Sequence, residues 1–223
     1  MPDWPFPYSP RGVTMPAMAT QVKRVADLSL RERRGPIDVR VSWPAAPHAD
    51  GAPAIVFLSD RDSRPEVVSE LCRELCAEVG IVVLSVRTRD LDAATTAVEW
   101  TADHGAQLGA DPRRLVVGGI GAGASLAAAV ALGARDNGWP ALDRQVLVQP
   151  ALMPAVPSAG VAPATVVGAW AYARRLREAG VEVDEVARIA DVATSLRRAM
   201  NLHRDEGLTN NHDDYQEPER RDC

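Results

Sequence analysis

The sequence predicts an α/β protein: a mainly parallel, doubly wound sheet with an antiparallel hairpin at its N-terminal side. Three observations carry this. Residues 54–59 (AIVFLS), 81–86 (IVVLSV) and 115–117 (LVV) are short, unbroken apolar runs, the pattern of strands buried on both faces. Between them lie longer segments whose apolar residues recur at helical spacing, and strands alternating with helices favour parallel pairing. Upstream, residues 25–31 and 37–43 alternate apolar and polar around Arg33-Arg34-Gly35-Pro36, which reads as a hairpin with one wet face.

In order, residues 1–20 are rich in Pro and Met, with Trp4, Phe6 and Tyr8 between prolines, and are expected to form an irregular arm. The hairpin follows, then a loop over 44–53 and the strand 54–59. Ser63 and Glu66 have capping-box spacing, opening a helix to Val79 whose stripe is Val67, Val68, Leu71, Leu75 and Val79; Gly80 ends it. Strand 81–86 leads to a helix over 92–108. Asp111-Pro112 turns into the central strand, and a small-residue helix runs over 122–134. Strands over 145–149, 164–168 and 182–188 and helices over 171–179 and 191–202 complete a single domain, residues 21–203. Residues 204–223 are polar and charged, the composition of a disordered tail.

Composition narrows the function. The chain has 223 residues, 46% hydrophobic and 25% charged, with net charge −5. That suits one α/β domain and argues against a nucleic-acid partner. No apolar run reaches the ~20 residues of a membrane span. The start, MPDWPFPYSPRG, lacks the apolar core of a signal peptide, so a cytoplasmic location is expected. Cys72 and Cys76 lie one helical turn apart and read as reduced, buried helix residues. No two of His48, His104, His203 and His212 have metal-ligand spacing. Neither metal nor cofactor is expected.

The chain is organised around residues 115–130, LVVGGIGAGASLAAAV, where Gly118, Gly119, Gly121 and Gly123 crowd into a strand-to-helix turn. Two functional motifs fit it. One is a nucleophile elbow, G-x-S-x-G, in the frame Gly119-Ile120-Gly121-Ala122-Gly123. The other is a dinucleotide fingerprint, G-x-G-x-x-A, through Gly119, Gly121 and Ala124. A dinucleotide site needs an acid after the next strand to bind the ribose; that strand offers Gln149 instead. A turn kept only for packing is the third reading.

The run LGADPRRLVVGGIGAGASLAAAVALGARDNG, continuing to LDRQVLVQPAL, resembles the middle of an α/β-hydrolase of the hormone-sensitive-lipase-like esterase group. ELCRELCAEVGIVVLSV before it and AYARRLREAGVEV after it extend the likeness over about residues 25–200. The resemblance implies a reduced α/β-hydrolase fold and a carboxylic ester hydrolase ancestry. It also locates the catalytic positions, and each departs from the family pattern. Gly121 stands where the nucleophilic serine belongs, preceded by Ile120 in place of aspartate. The His-Gly-Gly-Gly oxyanion loop is replaced by Ser59-Asp60-Arg61-Asp62, whose carboxylates would repel a developing oxyanion. The loop for the triad acid is cut short before Trp170. The histidine position falls near Ala193, in a stretch with no histidine between His104 and His203. The substrate-covering insertion after Gln149-Pro150 is also absent.

Losing the serine alone costs about a millionfold in turnover. Ser125 is no replacement, because a serine one turn into a helix back-bonds to a carbonyl. The expectation is a catalytically inactive homologue with a binding, regulatory or pairing role. Its rivals are a weak carboxylesterase or lipase-type hydrolase of small acyl esters, and a small-molecule sensor using the vacated elbow. The pocket candidates are Ser59, Asp60, Gly119, Ile120, Gly121 and Ala122. The loop 59–62 also reads as solvated, its charge balanced by Arg61 and Arg64. Expected partners are a second copy or another α/β hydrolase, paired through the edge strand 182–188, or a small apolar ligand.

Overall fold

The computed structural model describes residues 22–32, 35–45, 51–151 and 160–208, the last eight by backbone alone. An eight-stranded sheet has the order β1-β2-β4-β3-β5-β6-β7-β8. Strands β1 (Val22–Glu32) and β2 (Gly35–Pro44) form the expected hairpin, and β2 also runs antiparallel to β4 (Val82–Arg87). From β4 onward all pairing is parallel: β3 (Ala52–Ser59), β5 (Ala110–Ile120), β6 (Arg144–Val148), β7 (Ala164–Val167) and β8 (Val183–Val186).

The alternation of side chains along these strands divides the core in two. Val56, Leu58, Leu84, Leu115, Val117 and Leu147 face one side. There they meet α2 (Leu91–His104), α3 (Ala122–Asn137) and α4 (Trp170–Glu178). Ile55, Phe57, Val83, Val116, Val146 and Val148 face the other, against α1 (Pro65–Glu74) and α5 (Val192–Leu208). Strands walled on both faces have no wet side, which is why 54–58 and 81–84 are continuously apolar.

Several local expectations need correction. Ser63 does not cap α1: the helix begins at Pro65 with Arg64 as N-cap and no side-chain bond, and the amide and hydroxyl of Ser63 both donate to Asp60 instead. The helix to Val79 finishes in a π-helical turn, Leu75–Val79, before Gly80 at φ +75°. The helix expected over 92–108 breaks at Gly105 into a 3-10 turn, Gly105–Leu108. Asp111-Pro112 lies inside β5 and not in a preceding turn, since pairing with β3 begins at Ala110. Helix α5 runs to Leu208, so regular structure passes position 203, where the domain was expected to end. The Pro-rich arm (1–20) and the tail from 209 lie outside the described residues. No described helix is long and apolar enough to cross a membrane.

Candidate active site: a nucleophile elbow without a side chain

The three elbow glycines serve different physical needs. Gly121, the N-cap of α3, has φ +61° and ψ −124°, a strained conformation that L residues seldom adopt. Space is not the constraint there: a Cβ on Gly121 would meet only the Ser63 hydroxyl, 3.9 Å away. Gly119 and Gly123 are constrained by space. A Cβ on Gly119 would fall 2.5 Å from the Gly123 carbonyl and 2.6 Å from the Leu58 oxygen. One on Gly123 would lie 2.5 Å from the Leu58 carbonyl carbon and closer still to its oxygen. The first turn of α3 is thus pressed onto the end of β3, and the turn is held at both sides. The Gly121 amide donates to Val148 O at 2.9 Å, and its carbonyl accepts from Ala151 N at 3.0 Å. The backbone takes the strained strand-to-helix turn expected of an elbow, and Gly121 presents no side chain at it. Ile120 is buried, and Ala122 is half-buried at the first turn of α3.

The segment 59–62 is solvated only in its second half: Arg61 and Asp62 are exposed, but its first two residues are not. Ser59 is 1% exposed and Asp60 7%. Asp60 accepts from the Ser63 amide at 2.8 Å and hydroxyl at 2.6 Å. The charge balance comes from Arg89, which reaches Asp62 and stands 3.9 Å from Asp60, and not from Arg61 and Arg64 as the sequence suggested. The Ser63 hydroxyl bond holds the Asp60 carboxyl below its ordinary range; burial opposes this, and the Ser63 amide, Arg89 and the Asp62 amide assist. A carboxylate kept ionised here is the opposite of an oxyanion hole, which needs donors converging on developing negative charge. The Ser63 hydroxyl, the side-chain oxygen closest to the vacated position, is spent on that carboxylate.

The other two positions to which the resemblance pointed carry no histidine and no acid loop. Val192 and Ala193 are 0% and 2% exposed and belong to the apolar cluster beneath α5. The space a histidine loop would occupy is filled by a 3-10 turn, Ile189–Asp191, leading directly into that helix. After β7 the chain turns at Gly168 (φ +68°) and enters α4 at Trp170, which is 69% exposed. Ser125 back-bonds toward Gly121 O at 3.5 Å, as its helical position requires. His104 stacks on Trp100, ring centroids 5.0 Å apart. It ends α2, just before the chain enters β5 at its amino end, whereas Gly121 follows the carboxyl end of that strand. Cys72 and Cys76 are buried as expected, burial pushing their thiols up to about 12 and about 11. Among the described residues no group of three His, Cys, Asp or Glu could hold a metal ion.

Of the six residues that the sequence reading grouped at one pocket, the ends of β3 and β5 bring Ser59 and Asp60 close to the turn at 119–122. Ser59 lines a cleft of about 1090 Å³ between the hairpin, α1 and the ends of β3 and β4. Gly119, Ile120, Gly121 and Ala122 line neither this cleft nor a second one, of about 570 Å³, at the amino ends of the strands. Arg87, which lines the first cleft, was not singled out from the sequence, and Arg61, which lines it too, was read only as balancing loop charge. No local motif marks them, because strand order brings them together.

A family model described as the α/β hydrolase fold matches residues 57–165. Esterase LipI of Mycobacterium tuberculosis is 32% identical over 147 residues, covering 58% of this chain and 45% of that protein. Carboxylesterase NlhH of the same species is 32% identical over 133 residues, covering 52% and 40%. The chain therefore spans less than half the length of either relative. Among solved structures, a hyperthermophilic esterase from Pyrobaculum calidifontis superposes with TM-score 0.71 at 22% identity, over 80% of this chain and 87% of that one. The chain has the α/β-hydrolase fold, and the relatives it resembles over part of their length are esterases.

Proposed function

We propose that the chain is a non-hydrolytic relative of these esterases, acting by binding, regulation or pairing in the cytoplasm. One observation carries the reading: the elbow keeps its strained backbone at Gly121 but presents no hydroxyl, and the side-chain oxygen beside it is bound to Asp60. Acyl transfer needs a nucleophile with a base in hydrogen-bond reach and donors for the oxyanion. Around Gly121 the corresponding places hold a glycine, a buried alanine near 193 and an ionised carboxylate.

The test is turnover of short-chain p-nitrophenyl esters by the full chain, with and without a serine-directed phosphonate. Turnover indistinguishable from buffer is expected. Hydrolysis abolished by the phosphonate would refute the reading. The second reading, a weak carboxylesterase acting on small acyl esters, is favoured by likeness to an esterase and a carboxylesterase, and the same assay decides for it. A sensor binding small apolar molecules at the elbow would show saturable, ligand-dependent melting that substitution of Ile120 removes.

A further inference from the structure

The cleft of about 1090 Å³ carries an inference separate from the fate of the elbow. It opens where ligands enter parallel α/β sheets, at the carboxyl ends of the strands. Ser59 on β3 is the register partner of Arg87 on β4, and Arg61 lies two residues beyond Ser59. The hairpin closes the opposite wall, with Asp27 on β1 and Asp38 and Arg40 on β2.

The charges do not cancel. Arg40 is held by Asp27 at 2.8 Å and 3.3 Å, and Arg89, beside the cleft, is held by Asp62 and Asp60. Arg61 and Arg87 have no ion-pair or hydrogen-bond partner among the described residues, and Asp38 is the one acid left on the lining. Two unpaired guanidinium groups therefore face one crevice in a chain of net charge −5. A guanidinium presents a rigid fork of donors matched to carboxylate and phosphate oxygens. The cleft exceeds what a bare ion fills, and its volume is that of an organic-ligand site. We propose that it binds a small organic dianion, a dicarboxylate or a phosphate monoester, through Arg61 and Arg87.

Isothermal titration calorimetry at low ionic strength tests this, with succinate and glycerol 3-phosphate as probes and succinamide and glycerol as neutral controls. The expected result is saturable one-to-one binding of at least one dianion, with its neutral control at least tenfold weaker; the tighter dianion assigns carboxylate or phosphate. R61Q and R87Q should each weaken that binding at least tenfold. R113Q, at the far end of the sheet, should leave it unchanged. Both cleft arginines are exposed, so melting temperatures near wild type are expected and separate lost binding from lost folding. Saturation by neither dianion, equal binding of a neutral control, or wild-type binding by R61Q or by R87Q would overturn the proposal. None of these results bears on ester turnover, so this site and the silent elbow stand or fall separately.

Discussion

Replacing Gly123 by alanine tests the claim that this glycine is kept for close approach. The added Cβ would lie 2.5 Å from the Leu58 carbonyl carbon and 2.8 Å from the Ser59 amide. Reaching the ~3.5 Å of a normal carbon contact means lifting α3 off the end of β3 by about 1 Å. Both obstacles are backbone, so no rotamer change relieves them. That separation also loosens Ala124, Ala127, Ala128 and Ala131, which α3 buries on the sheet. Overpacking costs about 1–3 kcal/mol and more where backbone must move, while alanine in place of glycine returns up to ~1 kcal/mol of helix propensity. A net loss of roughly 1–3 kcal/mol corresponds to a fall in Tm of about 2–12 °C for a chain of this size. The control is G133A in the same helix, where a Cβ meets nothing within 4 Å. Only the propensity gain remains there, about 0.5–1 kcal/mol, or a rise of roughly 1–4 °C. Calorimetric melting of the two variants beside the wild type gives the comparison. G123A melting at or above wild type would refute the steric argument.

G121S restores a hydroxyl to the elbow, where a Cβ fits but φ is +61°; it should lower stability by about 1–3 kcal/mol and give no p-nitrophenyl ester turnover, and measurable turnover would mean that a competent base is in reach. D60N removes the charge that Ser63 binds and should cost about 1–3 kcal/mol at neutral pH. Because the folded state depresses the Asp60 pKa, its contribution is complete above the unfolded value of ~3.9 and disappears as pH falls through the lower folded value. The Tm gap between wild type and D60N should therefore narrow on acidification below pH ~4, and a gap independent of pH would sink the assignment. Cys72 and Cys76, buried with thiols raised to about 12 and about 11, should resist Ellman's reagent in the native protein, so denaturation adds two reactive thiols; a native count equal to the denatured count would contradict the packing.

The fold was legible because its signals are local. Unbroken apolar runs at 54–58 and 81–84 required strands covered on both sides, and the alternation at 25–31 and 37–43 required a hairpin with one face exposed. The errors fall where local signals compete. The spacing of Ser63 and Glu66 fits a capping box, but the helix starts one residue later, with Arg64 as N-cap, and the Ser63 amide and hydroxyl satisfy the buried Asp60 carboxylate. The residue density at 118–123 pointed to an elbow, yet composition does not separate a glycine needed for φ from one needed for space. That distinction depends on how closely β3 approaches, which is set by residues sixty positions away. The cleft was invisible for the same reason: residues 27, 40, 61 and 87 meet only because the strand order is β1-β2-β4-β3.

Conformational strain at a functional turn persists only when its surroundings over-determine it. Here they still do. Gly119 and Gly123 press α3 against Leu58, and the Gly121 peptide is tied to Val148 and Ala151 on both sides. The same contacts join β3, β5, β6 and α3 at the centre of the sheet, so the turn is part of the packing of the core and does not depend on the reaction it is shaped to serve. The turn therefore does not rest on a side chain at position 121, whereas neither flanking glycine can be replaced without moving the core. That asymmetry accounts for a strained backbone held in place around a position with no side chain.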